Sequence, residues 1–333
     1  MSGAALRSRA TLIGLVVGVP LSAVFLWLAV RNADLDEVWS VLGASDLALA
    51  SLAVVALGGV YLGQAVRWRE IARTPSVSTA RFGEMVVSGL AVNNVLPGRV
   101  GDLLRARWLQ VAAHVPGGRA LASVFLDRAF DVFALVAFLA ISLPFVASTA
   151  WLQRIALGAV ALLVILALVL VGARVYISRR ARERRSRRGL LRRIARDTVE
   201  GLADPVGRMR ALGLGSFSLA IWGMWAVSAW LVARSVGIEL SIVEAVFVTA
   251  VVNLGVAIPS SPGFIGTYQW LAVSALALFG VGTDEALAFS ILMHAVWYVP
   301  TLLVGGGLLL RRLASTLRAA PRRQVPLGEA ADG

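Results

Sequence analysis

The chain contains no cysteine, no lysine and only two histidines. Without cysteine there are no disulfides, thiolate metal sites or thiol nucleophiles. Two histidines alone do not make a zinc site of ordinary ligand count, so no metal and no cofactor are expected. Charge is scarce too: 15% of the 333 residues are charged and 58% are hydrophobic. A soluble domain of this length carries more charge and shorter apolar runs. No nucleophile elbow, P-loop, dinucleotide-binding fingerprint or zinc-protease helix occurs.

The charge that is present is one-sided. All 32 basic residues are arginine, giving a net +13, and 13 of them lie between Arg174 and Arg210, in a loop bounded by apolar segments. A nucleic-acid partner would be one use of such a loop. Its place between apolar runs instead marks a cytoplasmic loop facing anionic lipid headgroups, so membrane lipids are the expected partners and nucleic acid is not.

Apolar runs at residues 11–30, 47–66, 121–146, 151–175, 212–233 and 286–310 each approach the ~20 residues that cross ~30 Å of hydrocarbon. The first, preceded by Arg7 and Arg9, reads as a retained span, because no small-residue cleavage site follows it. Arg67, Arg69 and Arg73 close the second span on the cytoplasmic side, and Arg311 and Arg312 close the last. Two further apolar stretches are interrupted, one at Pro97-Gly98 and one from Pro259 to Gly263. With the basic loop held inside, each interrupted stretch must begin and end on one side, so each reads as a re-entrant helical hairpin. Of the arginines, 27 then fall in cytoplasmic segments and only Arg31, Arg154 and Arg234 near the outer surface.

The resulting architecture is an all-α integral membrane protein of the inner or plasma membrane, an inverted repeat of two halves. Each half has three spanning helices and one re-entrant helical hairpin. Residues 1–10 form a cytoplasmic N-terminus. The first repeat covers 11–146 with its hairpin at 82–113. The second covers 151–310 with the basic loop at 176–211 and its hairpin at 241–280, and 311–333 form a cytoplasmic tail. The hairpin breaks share the pattern Pro-Gly-x-x-Gly, Pro97, Gly98 and Gly101 in one and Pro262, Gly263 and Gly266 in the other, 165 residues apart, with Pro259 just upstream. Proline blocks helix continuation and glycine permits a turn or a close approach. Freed backbone groups at such breaks need protein or water around them, and half-helix ends there can hold an ion or a charged headgroup.

Ionisable groups inside a membrane mark function. Arg99 sits at the first hairpin tip, followed by Asp102 and Arg105. Arg99 and Asp102, three apart, are expected to pair on one helix face. Asp127 and Asp131, four apart beside Arg128, share a face that either binds a cation or neutralises Arg99 and Arg128. Asn94 precedes the first break, and His294 lies in the last span as a packed polar residue or a switch. These residues make up the expected substrate site, with Arg99 and Arg128 suited to a lipid phosphate.

The order Asn94-x-x-Pro97-Gly98-Arg99-x-Gly101-Asp102-x-x-Arg105, then Asp127-Arg128-x-x-Asp131, then Pro259-x-Ser261-Pro262-Gly263-x-x-Gly266 resembles the lysylphosphatidylglycerol synthase transmembrane-region family, also called flippase-like domain proteins, over roughly residues 10 to 312. The resemblance implies a flippase-type unit and not lipid aminoacylation, since the cytosolic aminoacyl-transferase domain has no counterpart in this sequence. It departs from the family at Asp102, often Glu there, and at Gln269, also often Glu. The second departure removes an anionic partner for a cationic headgroup. The expected function is a lipid flippase or lipid-linked transporter for a phospholipid, polyprenyl-phosphate or glycolipid, with a coupling ion or proton as a further partner. The alternatives are an intramembrane enzyme acting on a lipid phosphate, using Asp102, Asp127, Asp131 or His294, and a non-transporting regulator of a cell-envelope enzyme.

Overall fold

The computed structural model describes residues 18–96, 99–146, 158, 208–256 and 261–319. Nearly all of the expected span at 151–175 and of the basic loop, together with Pro97, Gly98 and Pro259, lies outside the described residues. Among those described, every regular element is helical: α1 Gly18–Val30, α2 Leu35–Gly43, α3 Leu47–Ala72, α4 Thr79–Val95, α5 Val100–Ala113, α6 Gly117–Val146, α7 Arg208–Ser235, α8 Ile242–Gly255, α9 Thr267–Ala277 and α10 Thr283–Ala319, with a 3-10 turn at Pro262–Phe264. Four of them, α3, α6, α7 and α10, are long and apolar enough to cross a membrane. This is a multi-pass membrane protein.

Side-chain caps set the helix starts. Asp34 accepts from the N–H groups of Asp36 and Glu37 and begins α2, so the acidic stretch after the first apolar run is a short helix. Asp46 caps α3, and Ser241 and Glu244 form a reciprocal capping box on α8.

Helices α3 and α7 form the central pair. Gly59 and Gly63 admit Met224 and Ile221 of α7, and Ser228 Oγ donates to the carbonyl of Ala53 at 3.0 Å. Small residues let two helices approach where the solvent offers no hydrophobic gain. The shorter helices then pack crosswise: α4 lies along α10, and α8 lies along α6.

The short helices come in two pairs. In the first, α4 and α5 cross where Gly89 and Gly101 meet; a Cβ on Gly101 would overlap the Gly89 carbonyl and lie 2.7 Å from Asn93 Oδ1. Gly101 therefore serves close approach and not the turn. Arg99 enters α5 in the left-handed region, with φ 54°. In the second pair, Gly263 and Gly266 turn the chain, with φ of 73° and 87°, a region that favours glycine.

Contacts bring the outer parts of each pair together. Glu84 on α4 bonds Arg312 at 3.2 Å, and the Arg312 guanidinium lies over Trp108 on α5. Phe247 on α8 meets Phe279, just past α9, with ring centroids 5.7 Å apart. The end holding Glu84 and Arg312 is the basic one. The other collects acids: the Asp34 N–H donates to Asp284 Oδ1 at 2.8 Å, and the Asp46 N–H to the Ser235 carbonyl at 2.8 Å.

The Gly89–Gly101 crossing predicts that Gly101→Val lowers the unfolding midpoint of the purified protein, since forced overpacking costs about 1–3 kcal/mol. Gly58→Ala is the control, because a Cβ there meets nothing within 4 Å. Equal midpoints for the two variants would contradict the crossing.

Candidate functional site

Helix α3 buries one stripe, Ala53, Leu57, Val60, Gln64 and Arg67, at helical spacing against α6 and α7. That register carries Arg67 into the protein, where its exposure is 0%. Its Nε donates to Asp127 Oδ1 at 2.9 Å, its Nη2 to Asp131 Oδ1 at 2.7 Å, and its Nη1 to Ser218 Oγ at 3.0 Å. The aspartates one turn apart on α6 are thus a fork for a third helix's arginine. The sequence placed Arg67 with Arg69 and Arg73 in a cytoplasmic cluster, and the structure corrects this.

The remaining charges close a ring. Arg105 on α5, 1% exposed, binds Asp127 Oδ2 at 3.0 Å and lies 3.6 Å from Asp102 Oδ1. Its guanidinium also sits 4.3 Å from the Trp68 ring centre. Arg128 on α6 holds both oxygens of Asp102, at 2.8 and 3.1 Å, and reaches Asp131 Oδ2 at 3.2 Å. Three arginines and three aspartates therefore alternate around a closed circuit: Asp102, Arg128, Asp131, Arg67, Asp127, Arg105. Buried charges persist only when paired and hydrogen-bonded, and here all six carboxylate oxygens accept at least one donor. The circuit is neutral.

Arg99 stands outside it. The sequence paired Arg99 with Asp102 across one helical turn; because Arg99 is the left-handed cap before α5, it is not on that helix face, and Asp102 goes to Arg128 and Arg105 instead. No carboxylate or hydrogen-bond acceptor among the described residues takes the Arg99 guanidinium. It lines a cavity of about 200 Å³ shared by both halves. The charged part of the lining, Arg99, Arg128 and Asp131, comes from the first half. The second half contributes aromatic rings, among them Trp222, Trp225, Tyr268 and Trp297.

Asn94, 3% exposed, also lines the cavity and ties the first hairpin tip to α10 by donating to Thr301 Oγ1 at 3.0 Å. The backbone carbonyl of Asn94 lies beside Gly263 of the second break. Asn93 Oδ1 accepts from the Gly101 N–H at 2.7 Å.

His294 does not line the cavity. It stacks on Trp297 with centroids 4.8 Å apart, and its Nδ1 lies 3.0 Å from Gln269 Nε2. Gln269 Oε1 accepts from the Gly266 N–H at 2.7 Å, so the amide must donate to His294. Both residues brace the second break behind the aromatic wall. Gln269 is committed to that role and is not among the residues that line the cavity.

The family described as the lysylphosphatidylglycerol synthase TM region matches residues 12–305 of this chain. A Haloferax volcanii protein named glycosyltransferase AglD is 29% identical over 339 aligned positions, a match covering 89% of this chain and 54% of that protein. The chain thus spans about half the length of that relative. A motif series running through the first hairpin, α6 and the second break, together with a match over most of the sequence, places this chain in the lysylphosphatidylglycerol synthase TM region family.

Proposed function

We propose that this chain is a lipid flippase that carries a phosphate-bearing lipid across the cell membrane through the cavity between its halves. The observation that carries the reading is Arg99, an open guanidinium in a cavity whose other charges cancel. A phosphate offers the acceptors that a guanidinium fork matches, and the aromatic wall suits the apolar part of a phospholipid, polyprenyl-phosphate or glycolipid. The two paired short helices act as re-entrant hairpins of an inverted repeat. Two features support this: the crosswise packing of α4 on α10 and α8 on α6, and the contacts that bring the outer parts of each pair together. A substrate site between broken helices of inverted repeats is a common transporter design. Uphill transport would draw on a coupling ion or proton.

The printed name of the relative raises a transferase reading. Catalysis of that kind needs a free base or nucleophile, and Asp131, which lines the cavity, is held by two guanidinium groups, as are Asp102 and Asp127 of the same ring. The geometry therefore favours transport. The test is reconstitution: vesicles containing the purified chain and a fluorescent anionic phospholipid should expose inner-leaflet probe to a membrane-impermeant quencher. If the inner leaflet stays as protected as in protein-free vesicles, transport is wrong.

The orientation has its own test. The basic end is assigned to the cytoplasm of the inner or plasma membrane, with both termini there, as the arginine bias requires. The lack of native cysteine makes single-cysteine labelling clean. Ala44→Cys and Thr283→Cys should react with an impermeant thiol reagent on intact cells, and Ser315→Cys should not. Labelling of Ser315→Cys alone would invert the topology.

A further inference from the structure

We infer that the cavity selects lipids whose headgroup is net anionic and rejects headgroups carrying an ammonium, aminoacylated lipids in particular. This rests on the reading of the cavity as a lipid site and adds to it the sign of the charge it accepts. The argument is an inventory of donors and acceptors. On the donor side, the Arg99 guanidinium lines the cavity and makes no direct ion pair or hydrogen bond with a carboxylate among the described residues. The rings that share the lining, Trp297 and Tyr268 among them, add no charge. On the acceptor side, nothing charged is open: Asp102, Asp127 and Asp131 each spend both oxygens on arginines of the ring.

A phosphodiester brings one negative charge and several acceptor oxygens, so it neutralises Arg99 and matches its donors. A lysyl ester on the same headgroup adds ammonium groups and makes it net positive. Those ammoniums need a carboxylate when taken out of water, and opening one would break a buried arginine–aspartate pair. They would also share the cavity with Arg99, and like-charge juxtaposition is how a site excludes the wrong partner. The aromatic faces offer ammonium only the weaker cation–π attraction.

Selectivity can be measured without transport. The full chain, delipidated in detergent and then mixed with phosphatidylglycerol or lysyl-phosphatidylglycerol, is examined by native mass spectrometry for retained lipid. At least tenfold greater retention of phosphatidylglycerol is expected. Arg99→Gly should erase the difference, and Arg99→Lys should keep part of it. Glycerol phosphate and inorganic phosphate serve as competitors, to separate a lipid headgroup from a free phosphate. Equal or better retention of the lysyl lipid would overturn the inference. So would a preference that survives Arg99→Gly, no retention of the anionic lipid, or soluble phosphate competing as well as the lipid. A chain that retains phosphatidylglycerol selectively but moves no lipid in vesicles would refute the transport reading and leave this selectivity standing.

Discussion

Replacing Arg67 with methionine should be among the most destabilising single changes in this protein. The substitution keeps much of the apolar volume and removes the one guanidinium that joins Asp127, Asp131 and Ser218 across three helices. Two aspartates, 1% and 5% exposed, would lose a partner each. Breaking one side of a buried ion pair costs about 3–5 kcal/mol. Arg67→Lys should recover only part, because a point charge cannot serve donors in three directions. The measurement is the unfolding midpoint of the purified variants, with the folded fraction from size-exclusion chromatography. Coupling gives a sharper form: Asp127→Asn added to Arg67→Met should cost less than the sum of the two single changes, since it removes the charge the first change left unpaired. Additive costs, or a near-normal midpoint for Arg67→Met alone, would show that the ring does not hold the helices together.

Arg99 should behave in the opposite way. Among the described residues its side chain makes no ion pair, and its backbone sits at φ 54°, where a residue with a Cβ is strained and glycine is not. Arg99→Gly should therefore leave the unfolding midpoint unchanged or raise it, while lipid translocation in vesicles falls to the protein-free rate. Arg99→Lys should keep the charge, lose the fork and retain partial activity. Translocation by Arg99→Gly at the wild-type rate would remove this residue from the transport path. An equally large loss of stability would make it a structural residue.

These contrasting arginines show where the sequence was informative. The long apolar helices follow from run length, because the hydrocarbon thickness sets it. The sharing of one face by Asp127 and Asp131 follows from their spacing of four. The partner of those carboxylates did not follow. Arg67 was counted with Arg69 and Arg73 because arginine near the end of an apolar run ordinarily marks the cytoplasmic surface. A signal was present, since Arg67 continues the stripe of Ala53, Leu57, Val60 and Gln64. Burial along that stripe, however, depends on α6 and α7, which are remote in sequence. Arg99 and Asp102 were paired by helical spacing, a rule that fails when the first of the two residues caps the helix in a left-handed conformation. His294 was assigned to the site from its place in the last span, and Gln269 was noted only as a departure from the family. Their side chains turn to brace Gly266 and the aromatic wall, a choice set by hydrogen bonds that spacing does not encode.

The central claim is that the open arginine of the shared cavity holds a lipid phosphate, and a cryo-electron microscopy map of the full chain in nanodiscs containing phosphatidylglycerol tests it most directly. The account predicts headgroup density in the cavity with the phosphate within hydrogen-bonding distance of the Arg99 guanidinium, the acyl chains against the aromatic wall, and the six-membered ring of arginines and aspartates intact. A cavity without lipid, with Arg99 turned onto one of the three aspartates and the ring broken to receive it, would contradict the account.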